Sequence, residues 1–152
     1  MPPKSVRVRE VPLTVVPTEV TKGPPWTFYC RMDRGADVID EWYMKLQVKA
    51  RARFTRALDQ LRERPLKDWT RPLASSLGDH IYVIRFKDHS SLPHRVFGHF
   101  VGDRAAFVMT VTAIEKDYAY IPSNCKDQAD RYREIISNDF AKHVRVCHNG
   151  HI

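Results

Sequence analysis

The sequence predicts an α+β fold in which a twisted antiparallel sheet packs against helices, and three observations lead there. Residues 81–114 hold three β-prone runs separated by turn signals. The stretch from Asp37 to Arg64 and the stretch after Asn124 carry apolar residues at helical spacing instead. At 152 residues the chain is long enough for one domain to bury a core without disulfide or metal staples. The expected order is therefore strand, two helices, three antiparallel strands and a helix.

Residues 1–25 contain Pro2, Pro3, Pro12, Pro17, Pro24 and Pro25, and so many fixed φ angles without backbone donors predict an extended Pro-rich arm. Trp26 to Cys30 is aromatic and β-prone, which predicts a short strand ended by Asp33-Arg34-Gly35. Asp37 is placed to cap a helix carrying Val38, Ile39, Trp42 and Leu46. A second helical run with Phe54, Ala57, Leu58 and Leu61 must stop by Arg64, because Pro65 disfavours helix in the residue before it. Neither Gly nor Pro separates the two runs, so one long helix and a tight helical hairpin are both compatible with the pattern.

Leu66 to Gly78 is expected to be a loop whose Trp69 and Leu73 tuck onto the core. Strands are expected at Ile81–Phe86, Arg95–Val101 and Ala105–Ile114, with a hairpin turn at Gly102-Asp103. Alternation puts Ile81, Val83 and Arg85 on one face, Tyr82, Ile84 and Phe86 on the other, and Arg95, Phe97 and His99 together. Pro122-Ser123-Asn124 opens the last helix, with Ala129, Tyr132, Ile135 and Ile136 at helical spacing. The organisation is an arm over 1–25, a domain over 26–137 and a tail over 138–152.

Charge points to the partner. There are 25 Lys and Arg against 18 Asp and Glu, a net +7, which suits nucleic acid or another acidic surface. The surplus lies before residue 105; from there on six basic residues balance six acidic ones. On the helical block Lys45, Lys49, Arg53 and Arg56 follow at four, four and three residues, one face of a continuous helix, the pattern of a phosphate-contacting stripe and equally of a solvated face. No run approaches the roughly 18 apolar residues a membrane span needs, and the start carries no apolar leader. A cytoplasmic protein is expected, with no membrane partner.

Cys30, Cys125 and Cys147 are odd in number and far apart, which predicts reduced, packing cysteines. His143, Cys147, His148 and His151 offer zinc-type ligands at short spacing, but a His-rich tail explains them as well, and no metal or cofactor is assigned. Glycine-rich phosphate loops, HExxH, GxSxG and the dinucleotide fingerprint are all absent from the sequence. What remains is a set of basic and imidazole side chains on the strands: Arg85, His94, Arg95, His99, Arg104 and Lys116. Such a set can bind a phosphodiester, stabilise its pentavalent transition state and move protons; as exposed strand residues they need do none of this.

Taken in order, Leu77-Gly78-Asp79-His80-Ile81-Tyr82-Val83-Ile84-Arg85, His94-Arg95-Val96-Phe97, Val111-Thr112-Ala113-Ile114-Glu115-Lys116 and Ile121-Pro122, followed by a helix with Ala129 and Arg133, resemble the RelE/HigB/ParE superfamily of bacterial toxins. They are most similar to its phage-associated, HigB-like branch, and the resemblance spans residues 26–137. It implies a RelE-like β-α-α-β-β-β-α fold and the toxin of a type II toxin–antitoxin pair, an endoribonuclease that cleaves mRNA on the ribosome. The implied partners are a helix-turn-helix antitoxin, the ribosome and mRNA. The resemblance assigns Arg85, Arg95 and Lys116 to the catalytic cluster. His99 joins them as a candidate for proton transfer because it shares Arg95's face, with His94 as its neighbour, and Lys45, Lys49, Arg53 and Arg56 become the RNA-contacting face. Gly98 and Asp117 depart from the pattern, which has Tyr and a second Lys there. A non-enzymatic relative acting by protein binding, as gyrase inhibitors do, or a basic nucleic-acid-binding domain are the alternatives.

Overall fold

The computed structural model describes residue 20 and residues 22–147. Residues 1–19 of the Pro-rich arm, and His148 and His151 of the zinc-type cluster, lie outside the described residues.

β1 (Thr27–Asp33) turns at Arg34-Gly35 into the two-residue β2 (Ala36–Asp37). Asp37 caps α1 (Val38–Lys45), accepting the Asp40 N–H at 2.7 Å. Leu46 and Gln47 are extended, so α2 (Val48–Arg62) is a separate helix and the pair is a hairpin. A 3₁₀ turn at Leu66–Asp68 leads to β3 (Ala74–Ser76), then β4 (Tyr82–Lys87), β5 (Pro93–Val101), β6 (Ala106–Lys116) and β7 (Ala119–Ile121). α3 (Cys125–Asn138), α4 (Phe140–His143) and β8 (Val144–Val146) complete the described chain.

The strands form one open, mixed sheet in the order β2-β1-β6-β5-β4-β3, with β7 beside β6 and β8 beside β1. β3 to β7 pair antiparallel, as the turn signals require. β1 instead runs parallel to β6, Phe28 opposite Phe107, because the whole helical hairpin and meander intervene between the two strands. The fully antiparallel expectation is corrected accordingly. α4 and β8 fall in the stretch read as a tail: Tyr29–Arg31 of β1 pair antiparallel with Val144–Val146.

Helices cover both faces of the sheet. α1 and α2 lie over Ile84, Phe86, Val96, Phe107 and Met109, and they bring Phe54, Leu58 and Leu61 into the same core as Trp26, Phe28 and Trp69. Aromatic rings dominate here. Trp69 meets Phe100 at 4.7 Å and Phe107 at 4.8 Å between ring centres, in tilted and edge-on arrangements that suit the ring quadrupoles. α3 covers the other face, Cys125 and Ala129 resting on Ile81, Val83, Phe97, Val111 and Ala113. The alternation expected for β4 and β5 is what divides these two cores.

Two cysteines depart from the expectation of reduced, packing residues. Cys147 follows β8 directly and lies beside β1, and Cys147 and Cys30 are joined by a disulfide with Cα atoms 5.3 Å apart across 117 residues of sequence. So long a separation hides the pairing from any reading of spacing. Cys147 is thereby unavailable as a thiolate ligand, and Cys125 is a free, buried packing residue.

Gly98 sits at a β-bulge. Phe97 pairs with Val111 but Gly98 with Met109, so Thr110 is skipped. A Cβ on Gly98 would collide with the Val108 carbonyl oxygen and come within 2.7 Å of Phe107 Cε2. The bulge explains why no tyrosine stands at this position. Gly98→Ala is expected to destabilise the protein by about 3 kcal/mol or more, read as a lower urea midpoint; an unchanged midpoint would show that the strands approach less closely than described.

Candidate anion-binding site

β3 begins at Ala74, opposite Ile84, so among the described residues the outer edge of β4 has no strand partner beyond that point except where the Arg85 N–H donates to Leu73 O at 2.7 Å. A groove of about 470 Å³ follows this open edge, between α2 and the Arg71–Leu73 segment. Arg53 and Arg56 reach it from α2, Arg71 from the loop, Arg85 and Lys87 from β4, and Arg95 from β5. Six cations therefore meet around one cavity.

Arg85 and Arg95 are direct cross-strand partners on the face that α3 covers. Like charges placed so cost stability, and the sequence around them does little to relieve it. Arg95 donates from Nε to Glu115 Oε1 at 2.9 Å and from Nη1 to the His94 carbonyl at 2.9 Å. Among the described residues Arg56, Arg71 and Arg85 have no ion-pair partner. Burial, followed by repulsion from Arg95 and Arg71, loosens the proton of Arg85 relative to an ordinary arginine, while Glu115 and Tyr120 act the other way. An anion bound in the groove would relieve that crowding.

Glu115 and Tyr120 are partners across the β6–β7 pair, and the Tyr120 ring packs edge-on against Phe97 at 5.1 Å. Burial first, then the Glu115 carboxylate, raises the Tyr120 phenol above its usual range, so it stays protonated at neutral pH.

Arg53 has a second task. Its Nη1 donates to the Lys87 and Asp88 carbonyls at 3.2 and 2.9 Å, satisfying backbone oxygens where β4 ends. Asp88 organises the following loop by accepting from the Ser90 and Leu92 N–H groups and contacting His94 Nε2 at 3.0 Å. Burial acts most strongly on Asp88 and would raise its pKa. The hydrogen bonds from His94, Leu92 and Ser90 together outweigh it and hold the carboxyl below its ordinary range.

The expected residues therefore separate. Arg53, Arg56, Arg85 and Arg95 converge on the groove. Lys49 extends their line at the start of α2. Lys45 ends α1 and is separated from that line by the break at Leu46-Gln47, which the four-residue spacing alone did not disclose. Lys116 is exposed at the end of β6, one residue beyond Glu115 and so on the opposite face from Arg85 and Arg95. Asp117 and Tyr118, with φ of 54° and 66°, form the two-residue turn that follows; a short polar residue tolerates this left-handed conformation better than most, which accounts for Asp117. His94 is buried, stacked on Phe86 at 4.9 Å and held by Asp88, on the helix-hairpin face of the sheet. His99 is only 3% exposed, and it packs toward α3 rather than opening into the groove. Burial, and secondarily Arg133, push its pKa down to about 3, so it is neutral at physiological pH.

Sequence reasoning missed Arg71, Lys87, Glu115 and Tyr120. Lys87 alternates onto the same face as Arg85, and its place at the exposed end of β4 gave no local signal of a site. Tyr120 depended on recognising the three-residue β7.

Residues 41–134 match the family described as phage-derived protein Gp49-like (DUF891). The chain belongs to this family. The Gp49-like family is part of the RelE/HigB-like toxin clan, and the match runs from α1 through most of α3, enclosing every residue that lines the groove. No curated protein and no solved structure matches the chain. Among the described residues no helix is long and apolar enough to cross a membrane.

Two outcomes are expected. Because the folded His99 refuses a proton that the unfolded residue accepts below about 6.5, stability falls as pH drops through 6.5 toward 3. Urea midpoints of wild type and His99→Leu should diverge over that window, the variant losing less; parallel curves would contradict the burial of a neutral imidazole. Arg85→Gln should raise stability by roughly 0.2–1 kcal/mol while weakening binding of a phosphorylated ligand, measured by thermal unfolding and by titration calorimetry.

Proposed function

We propose that this protein is the toxin of a toxin–antitoxin pair and an endoribonuclease that cleaves mRNA on the ribosome, in the cytoplasm. The observation that carries the reading is the opposition of Arg85 and Arg95 at a groove where four further cations gather. A sheet keeps two like charges face to face, at a cost, when something anionic is meant to lie between them.

In the proposed reaction Arg85 and Arg95 hold the scissile phosphate, and Arg71 adds to the charge that stabilises the pentavalent transition state. The RNA supplies its own nucleophile, the 2′-hydroxyl. Glu115, held by Arg95, takes the hydroxyl proton, and the protonated Tyr120 phenol supplies one to the departing 5′-oxygen. The products are a 2′,3′-cyclic phosphate and a 5′-hydroxyl. Lys49, Arg53 and Arg56 track the RNA backbone along α2. Lys45, Lys116 and His99 are left out of this assignment. A cognate helix-turn-helix antitoxin is the expected partner that keeps the activity silent.

A second reading is favoured by one observation: no imidazole lines the groove among the described residues, His94 and His99 both being buried. A basic binder that inhibits its target without cleaving would need none.

Expression without antitoxin should arrest growth and translation, and primer extension should map cuts in ribosome-bound mRNA. The double variant Arg71→Gln, Arg85→Gln should be harmless and Lys116→Ala still toxic. If wild type is as harmless as the double variant the toxin reading fails, and arrest with intact mRNA would select the binder. Affinity for single-stranded RNA should fall with salt, at a log–log slope of roughly −0.7 per phosphate neutralised.

A further inference from the structure

The groove is not cationic throughout. Ala57, Pro72, Leu73 and Phe86 give it an apolar floor, and among the described lining residues Gln60 is the one uncharged side chain with hydrogen-bonding groups. A surface evolved only to follow a phosphate backbone needs charge and no such floor. The volume, about 470 Å³, falls within the range of small-molecule sites rather than of shallow electrostatic tracks. Its walls come from four separate elements, α2, the Arg71–Leu73 segment, β4 and β5, so it is a built recess and not a gap between two side chains.

We propose that the recess is a base subsite. One nucleobase, swung out of a single strand, lies on the apolar floor while its flanking phosphate stays on the arginines at the rim. Single-stranded RNA is recognised in this way, through unstacked bases whose faces are buried and whose edges are read by hydrogen bonds. Guanidinium planes can cover the exposed face of the base, and among the described residues Arg56 and Arg71 have no ion-pair partner to hold them elsewhere. Gln60 lies one turn beyond Arg56 on α2, and its carboxamide carries both donors and an acceptor. It is the specificity-determining residue, because arginine and lysine only donate and a base edge presents both kinds of group. This inference rests on the reading of the groove as an RNA site and adds which part of the RNA enters it.

The test is titration of the full chain with AMP, CMP, GMP, UMP and ribose 5-phosphate. Nucleotides should bind roughly tenfold more tightly than ribose 5-phosphate, the gain expected when one base is buried. One of the four should be preferred, and Gln60→Ala should bring the four affinities together. Equal binding of nucleotides and ribose 5-phosphate, as a groove for an acidic peptide would give, overturns the base subsite and leaves the phosphate reading intact. A preference that survives in Gln60→Ala overturns the role of Gln60. If neither ribose 5-phosphate nor any nucleotide binds, both the subsite and the RNA reading of the groove fall.

Discussion

The close approach of β5 to β6 at Gly98 sets the geometry of everything packed on the sheet. By skipping Thr110 the pair keeps two different cores in phase. Val111 and Ala113 face α3 on one side of the bulge, and on the other Val108 still faces α3 while Phe107 and Met109 face the helical hairpin. A one-residue slip would exchange those sets. The skipped residue is not left with unmet polar groups: the Thr110 hydroxyl donates to Phe97 O at 3.2 Å, and Arg31 Nε donates to Thr110 O at 2.8 Å. Arg31 lies over the Tyr132 ring at 3.7 Å, so a buried guanidinium from β1 fastens the bulge to α3. Burial weakens its hold on the proton relative to an ordinary arginine, and Tyr132 and Asp33 offset part of that effect.

The same sheet accepts an electrostatic fault a few residues away. Arg85 and Arg95 could each be replaced by Thr or Val with gain to the strand pair, and only Arg95 is hydrogen-bonded to Glu115. Local rules of strand pairing therefore fail at one place, and that place opens into a groove lined by six cations. Conflict between foldability and local chemistry is expected where a protein meets its ligand.

Much of this was readable from the residues. Helix limits were set by local signals, Asp37 at the start of α1 and Pro65 after α2, and the alternation in β4 and β5 divided the cores correctly. What escaped was short or distant. β3 and β7 have three residues each and show no periodicity. The parallel β1–β6 pairing and the Cys30–Cys147 link join segments separated by most of the chain, and local pattern carries no information about such partners. For the site, Arg53, Arg56, Arg85 and Arg95 were legible as a basic set, but the break at Leu46-Gln47, the burial of His99 and the turn after Lys116 were decided by tertiary packing.

The link between Cys30 and Cys147 also determines how the molecule would bear force. In an open sheet a terminal strand such as β8 can be peeled away one hydrogen bond at a time, followed by α4 and α3. Here a pull on the C-terminus passes through the covalent bridge into β1, which is seated beside β6. The load must shear that parallel pair along its length, several backbone bonds at once. An unfolding machine that threads substrates from this end would meet its highest barrier at the first step, with the groove at the far edge of the sheet still assembled.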